Sequence, residues 1–130
     1  MCQSLDQKRA AYAWERVQEV TSDYVNLAKA APSLIMGNGL MQTLAFFKSK
    51  GGEHHTKLLG DILGWLVKGE AACPFLTSPE FEQAMKTLAS DVSSEQYLHA
   101  TQEALAILKW IRQFAAAKDR KNGEDRRGAR

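Results

Sequence analysis

The sequence has few of the residues that enzymes and metalloproteins use at their reactive sites. It contains 2 cysteines and 3 histidines in 130 residues. Cys2 and Cys73 lie too far apart for a zinc-ligand pair, and leucines stand four residues after His54 and His55, so no second ligand is supplied. No nucleophile motif of the G-x-S-x-G type is present. We therefore expect a protein that is not an enzyme and that has no metal or cofactor.

Long apolar runs are also missing. No apolar run approaches the roughly 20 residues of a membrane helix, and the first ten residues lack the apolar stretch of a signal peptide. Hydrophobic residues make up 45% of the chain, which is enough for the core of one domain. These features predict a soluble, cytoplasmic protein with no membrane contact that is monomeric in isolation.

The chain lacks a large charge of either sign, because its formal net charge is only +2. Residues 118–130 hold 6 basic and 3 acidic residues, which leaves 11 basic and 12 acidic residues in 1–117. Any nucleic-acid contact must therefore come from a local patch, from the tail or through partners. Residues 118–130 have no large apolar side chain, and we expect disorder there, after a helical domain over residues 1–117.

Apolar side chains recur at steps of three and four residues along most of the chain. This period predicts an all-α fold, a compact bundle of about five helices with a disordered basic C-terminal tail. Capping boxes that begin at Ser4 and Ser93 mark the starts of the first and last helices. The predicted helices span about residues 5–30, 40–50, 54–68, 79–90 and 94–117.

A proline and a glycine-rich turn are predicted to separate the first two helices. Pro32 disfavours helical geometry at the residue before it, so the first helix is expected to end there. Gly37 and Gly39 supply the turn, and Asn38 is expected to cap the helix that follows.

Two aromatic residues on the predicted helices have two interpretations each. Phe46 lies off the apolar row of its helix, and we favour a place in the core over a base-stacking platform. Trp110 lies on a mostly polar row, as either an interface anchor or a boundary residue covered by its own bundle. Gly60 and Gly64 are four residues apart, and we interpret them as a site where another helix approaches closely.

Several basic residues are candidates for phosphate contacts. Lys48 and Lys50 end a helix before two glycines, from where they could reach a phosphate chain, although cations at this position also interact favourably with the helix dipole. Arg9 and Arg16 are seven residues apart on one helix face. That spacing is also typical of a solvated surface whose charges are paired with nearby acids.

Four segments resemble, in the same order and spacing, the small subunit of the type III-B CRISPR RNA-targeting (Cmr) effector complex. The similarity covers roughly residues 8–117 and does not extend to the tail. The segments are RAAYAWERV at 9–17, NGLMQTLAFFKSK at 38–50, LLGDILGWL at 58–66 and TQEALAILKWIRQFA at 101–115.

The resemblance implies a non-catalytic, RNA-binding helical subunit with a role in antiviral defence. Such subunits pack in more than one copy along the guide-RNA filament, against larger backbone subunits, and help to hold the target RNA. The implied partners are guide RNA, target RNA, other Cmr subunits including the backbone subunit, and further copies of the chain. RNA cleavage in this family belongs to a different subunit.

Within this family we expect phosphate contacts that hold the target RNA without reading its sequence. The expected RNA-binding residues are Lys48, Lys50 and Arg16 first, followed by Arg9, Lys57 and Arg112. The alternative is a helical protein–protein adaptor with no RNA contact, in which Trp110 contacts the partner.

Overall fold

A computed structural model describes residues 3–68 and 73–128, with side chains described for 3–67 and 73–119. Within these ranges all regular structure is helical, which confirms the predicted all-α bundle. The elements are α1 (Leu5–Arg16), α2 (Ser22–Asn38), α3 (Leu40–Lys50), α4 (Glu53–Lys68), α5 (Phe81–Lys86), a π-helical turn (Thr87–Asp91) and α6 (Ser94–Gly128). None of the described helices is long and apolar enough to cross a membrane.

The last helix, α6, is the centre of the bundle. It packs against α1, α2 and α4, while α2, α3 and α4 also pack against one another. Ala104, Ile107 and Ile111 of α6 are completely buried among the apolar side chains of these helices. The apolar period of the sequence therefore corresponds to the faces that the helices turn toward a single core.

The predicted first helix is two helices in the structure, so the prediction of one continuous helix over 5–30 was wrong. α1 ends at Arg16, and the side chain of Thr21 caps α2 by accepting a hydrogen bond from the Tyr24 N–H at 3.1 Å. Val17 and Tyr24 are both buried, one on each side of the break. The apolar spacing is kept across the break, and for this reason periodicity alone did not show it.

Pro32 lies inside α2 and does not end it, which corrects the predicted helix end. Ala31 and Ile35, on either side in the chain, are buried, and we attribute the tolerance of the proline to this packing. The helix continues to Asn38, so Asn38 is the last residue of α2 and does not cap α3.

A single residue, Gly39, joins α2 to α3. Its φ of 91° is in the region that favours glycine. Because glycine has no side chain, Gly39 cannot cap α3 with a side-chain hydrogen bond. The hydroxyl of Tyr97, on α6, instead accepts a hydrogen bond from the Met41 N–H at 3.0 Å. The start of α3 is therefore stabilised by a tertiary contact.

Both predicted capping boxes are present, at the first residues of α1 and α6. The fourth helix begins later than predicted, at Phe81. The backbone of α6 is helical as far as Gly128. The division into a domain over residues 1–117 and a disordered tail stays a prediction. Near the end of the described side chains, Lys118 Nζ on α6 contacts Gln18 Oε1 at 3.4 Å.

Candidate nucleic-acid interface

Lys48 and Lys50 lie in the last turn of α3, and both side chains are exposed. Gly51 ends the helix with a φ of 68°. Lys48 Nζ lies 5.9 Å from the ring centre of Phe81, and Lys50 Nζ lies 5.4 Å from that of Phe46. Among the described side chains, no carboxylate forms an ion pair with either lysine. Their charges are therefore available to a ligand.

Phe46 is 42% exposed, so the core position favoured from the sequence was wrong. Its chain neighbour Phe47 is completely buried and fills the core position of this turn. The Phe46 ring borders an open groove between α2 and α3 with a volume of about 240 Å³. The groove is lined by Leu34, Asn38, Gln42, Thr43 and Phe46.

His54 and His55 lie at the start of α4, close to Lys50. Burial lowers the pKa of His55, with smaller contributions from His54 and Lys50. Its Nδ1 atom is buried and has no hydrogen-bond partner among the described residues. His55 is therefore neutral at physiological pH and adds no positive charge beside the lysines. The described residues contain no group of three or more His, Cys, Asp or Glu side chains arranged to hold a metal ion.

Arg16 and Lys57 form a second basic pair, where α1 meets α4. Lys57 Nζ donates to the Arg16 carbonyl at 2.6 Å and to Asp61 Oδ2 at 2.9 Å. The Arg16 guanidinium lies 5.2 Å from the Tyr12 ring centre and 3.7 Å from Glu15 Oε2. The depressions around the pair are also lined by Glu15, Glu19, Asp23 and Glu53. The charge of Lys57 is thus used internally, whereas Arg16 remains partly exposed beside acids.

Asp61 is a buried carboxylate that sequence patterns did not single out. Tyr24 Oη donates to its Oδ2 at 2.7 Å, and Tyr12 Oη donates to its backbone carbonyl at 2.7 Å. Burial and then the charge of Asp61 raise the pKa of Tyr12 to about 12, and the same two causes raise that of Tyr24. Both phenols therefore stay protonated and act as donors.

Arg9 is bound to a second buried carboxylate, Glu103, which sequence patterns also missed. Arg9 Nε and Nη2 donate to Glu103 Oε1 and Oε2 at 2.7 and 2.9 Å, and Trp65 Nε1 donates to Oε1 at 2.8 Å. The hydrogen bond from Arg9 holds the pKa of Glu103 below its ordinary value, against the effect of burial. Arg9 therefore links α1 to α6, and its charge is neutralised within the bundle.

Arg112 is exposed on α6, while Trp110 on the same helix is half-buried. Trp110 Nε1 donates to Asp6 Oδ1 at 2.9 Å, and its ring lies 5.4 Å from that of Phe114. These contacts fit a boundary residue, although part of the ring is open to a partner. Trp14, which the sequence did not single out, packs edge-on against Phe114 and is 47% exposed.

Of the two glycines of α4, only Gly64 lies at a close approach. A Cβ at Gly64 would lie 2.5 Å from Tyr12 Oη, so the neighbour is a tyrosine hydroxyl and not a helix backbone. A Cβ at Gly60 would meet nothing within 4 Å. The interpretation of both glycines as a helix-packing site was therefore wrong.

Comparison of the sequence with known proteins links the chain to one family. The model of the family "CRISPR-associated protein (Cas_Cmr5)" matches residues 5–118. The chain is 32% identical over 116 residues to CRISPR system Cmr subunit Cmr5 of Thermus thermophilus, covering 83% of the chain and 90% of that relative. It is 29% identical over 113 residues to the subunit of the same name from Thermotoga maritima, covering 84% and 80%.

The fold is similar to that of a solved structure as well. The X-ray crystal structure of a CRISPR-associated Cmr5 family protein from Thermus thermophilus matches with a TM-score of 0.72 and 28% sequence identity. The match covers 89% of this chain and 97% of that chain.

Proposed function

The chain belongs to the Cmr5 family of CRISPR-associated proteins, and we propose that it holds target RNA in a type III-B effector complex by contacting phosphates. As a Cmr subunit it works within a multi-subunit complex. We further propose that it packs along the guide-RNA filament beside the backbone subunit and further copies of itself. This assembly would act in the cytoplasm, in antiviral defence.

The observation that carries this proposal is the exposed pair of lysines at the end of α3. Lys48 and Lys50 combine exposure with the absence of a described carboxylate partner, as phosphate contacts require. Arg16 and Arg112 are the next candidates because they are also exposed. Arg9 and Lys57 were also predicted to bind RNA, and we expect smaller contributions from them.

The two buried carboxylates support a role without catalysis. Asp61 accepts hydrogen bonds from Tyr24 and Lys57, and Glu103 accepts them from Arg9 and Trp65. A general base needs a carboxylate that can reach a substrate proton, and these two are occupied inside the bundle. We propose that RNA cleavage is the work of another subunit.

The test is the double variant Lys48→Ala/Lys50→Ala, assembled into the complete effector complex with its guide RNA. Target-RNA affinity is measured as a function of salt concentration. Loss of two phosphate contacts should reduce the slope of log affinity against log salt by about 1.4–1.8 for each bound copy. The control is Lys29→Ala, which removes an exposed lysine from α2. Unchanged affinity and slope would exclude Lys48 and Lys50 from the RNA site.

A protein–protein adaptor is the second candidate, and the exposed Trp14 beside Phe114 favours it. Apolar docking is insensitive to salt, whereas phosphate contacts weaken steeply as salt rises. An adaptor held by apolar docking would stay in the complex as the salt concentration of this titration rises. Removing the adaptor subunit would leave the target-RNA affinity of the complex unchanged.

A further inference from the structure

The exposed Phe46 ring lies beside a cation and at the border of a groove. Lys50 Nζ is 5.4 Å from its ring centre, and the rings of Phe47 and His55 are at 6.1 and 6.3 Å. Since Phe47 fills the core position, exposure of Phe46 is not a consequence of poor packing in this turn. The ring leaves an aromatic surface open next to a positive charge.

The groove is formed because the single residue Gly39 joins α2 directly to α3. Leu34 and Asn38 of α2 are four residues apart, and so are Gln42 and Phe46 of α3. Each pair therefore lies on one face of its helix, and the two faces line the same groove. Its volume of about 240 Å³ suits one flat group better than a larger ligand.

The chemistry of the groove matches the parts of a nucleotide. An aromatic ring and Leu34 offer apolar surface for the face of a base, and the exposed amides of Asn38 and Gln42 can donate and accept hydrogen bonds at its edge. Lys50 provides a positive charge for the adjoining phosphate. A wholly apolar partner would leave the amides and the lysine unmatched, and an acidic side chain would leave the aromatic face without a stacking partner.

We propose that Phe46 is a stacking platform for an unpaired nucleobase of the bound RNA, with Asn38 and Gln42 at the base edge. The base must be unpaired, because a base inside a duplex has both faces covered by its neighbours. This inference rests on the proposed function, since it concerns the same RNA that Lys48 and Lys50 contact. It adds a contact that does not depend on charge.

The experiment compares Phe46→Ala, Phe46→Leu and Phe46→Trp in the assembled complex with guide RNA. Phe46→Ala should weaken target-RNA binding about 5- to 150-fold, as expected for loss of one stacked base. The salt slope should stay unchanged, because no charge is removed. Phe46→Leu should weaken binding almost as much, and Phe46→Trp should retain it. The control is Leu98→Ala, which removes an exposed apolar side chain from α6.

A direct readout uses target RNAs that carry one 5-iodouridine, moved along the sequence position by position. Ultraviolet light should crosslink at least one position to Phe46, and Phe46→Leu should abolish that crosslink. Normal affinity for Phe46→Leu would overturn the stacking proposal, and so would a loss of subunit assembly in the absence of target RNA, which indicates a protein partner. If Phe46→Ala has no effect while Lys48→Ala/Lys50→Ala flattens the salt slope, stacking is excluded and the phosphate contacts remain. If Phe46→Ala weakens binding while Lys48→Ala/Lys50→Ala leaves the salt slope unchanged, the lysines are excluded from the RNA site and the stacking contact remains.

Discussion

Glu103→Gln should lower the free energy of unfolding by about 2–4 kcal/mol, because it breaks a buried ion pair. Glu103 is only 4% exposed and receives three hydrogen bonds from Arg9 and Trp65, all between 2.7 and 2.9 Å. Removing one partner of such a pair typically costs about 3–5 kcal/mol. The Arg9 side chain is 18% exposed, so water can solvate part of the orphaned charge, which moves the expected loss to the lower end.

The loss is measured by urea and thermal unfolding of the isolated subunit. For a domain of this size, it corresponds to a decrease in Tm of about 6–15 °C. Glu19→Gln is the control, since Glu19 is exposed and its substitution should change stability by less than about 0.5 kcal/mol. A similarly small effect of Glu103→Gln would refute the view that this ion pair holds α1 and α4 to α6.

A double-mutant cycle separates the interaction energy of the Arg9–Glu103 ion pair from the individual contributions of the two side chains to stability. Arg9→Met alone leaves the Glu103 carboxylate buried with Trp65 as its remaining described donor. The double variant with Glu103→Gln has no buried charge at this position, so its loss should be smaller than the sum of the single losses. Additive losses would mean that the two residues stabilise the fold independently.

The pH dependence of stability follows from the same pair. The hydrogen bond from Arg9 lowers the pKa of Glu103 below its ordinary 4.5 in the folded state. Its stabilising contribution is therefore complete above that pH and is lost as the pH falls through the lowered value. Between about pH 7 and about pH 3 the wild-type protein should lose more stability than Glu103→Gln. Parallel curves for the two proteins would contradict this assignment.

Gly64→Ala should destabilise the fold by about 1–3 kcal/mol, because the Tyr12 hydroxyl has to move from a position 2.5 Å from the new Cβ. Gly60→Ala is the matched control and should stabilise by about 0.5–1 kcal/mol, since its Cβ is unobstructed; equal unfolding midpoints for the two variants would be the contrary result. Lys57→Met should cost about 1–2 kcal/mol in urea unfolding because Asp61 loses its cation, a loss reduced by the partial exposure of Lys57. A smaller cost than about 0.3 kcal/mol would show that water replaces the lysine.

Local sequence signals predicted the parts of the fold that local interactions determine. The capping boxes at Ser4 and Ser93 depend on residues within a few positions. Tertiary packing determines the features of α1 and α2 that the local signals did not predict. Pro32 is tolerated within α2 next to buried residues, and the break before Thr21 keeps the apolar spacing on both sides. Neither outcome can be read from helix periodicity, because each depends on contacts between distant segments.

The sequence identified basic candidates but not which of their charges are free. The partner of Arg9 is 94 positions away, so no local pattern shows that its charge is neutralised. Lys57 and Asp61 are four residues apart and form a pair that spacing can suggest, but the burial of Asp61 under Tyr24 is tertiary information. Phe46 shows the same limit, since the choice between core and surface depends on which of two adjacent rings is buried.

The low net charge of residues 1–117 is consistent with RNA binding that depends on assembly of the subunit into its complex. Arg9 and Lys57 are neutralised by buried carboxylates, and among the described exposed cations Lys48 and Lys50 have no described carboxylate partner. Two phosphate contacts from such a pair give weak and salt-sensitive affinity to a free subunit. Copies held in a row by a complex would present the same patch repeatedly, and the later contacts become intramolecular. We therefore infer that RNA affinity belongs to the assembled filament, and that a stronger charge on the free subunit would favour unproductive binding to other nucleic acids.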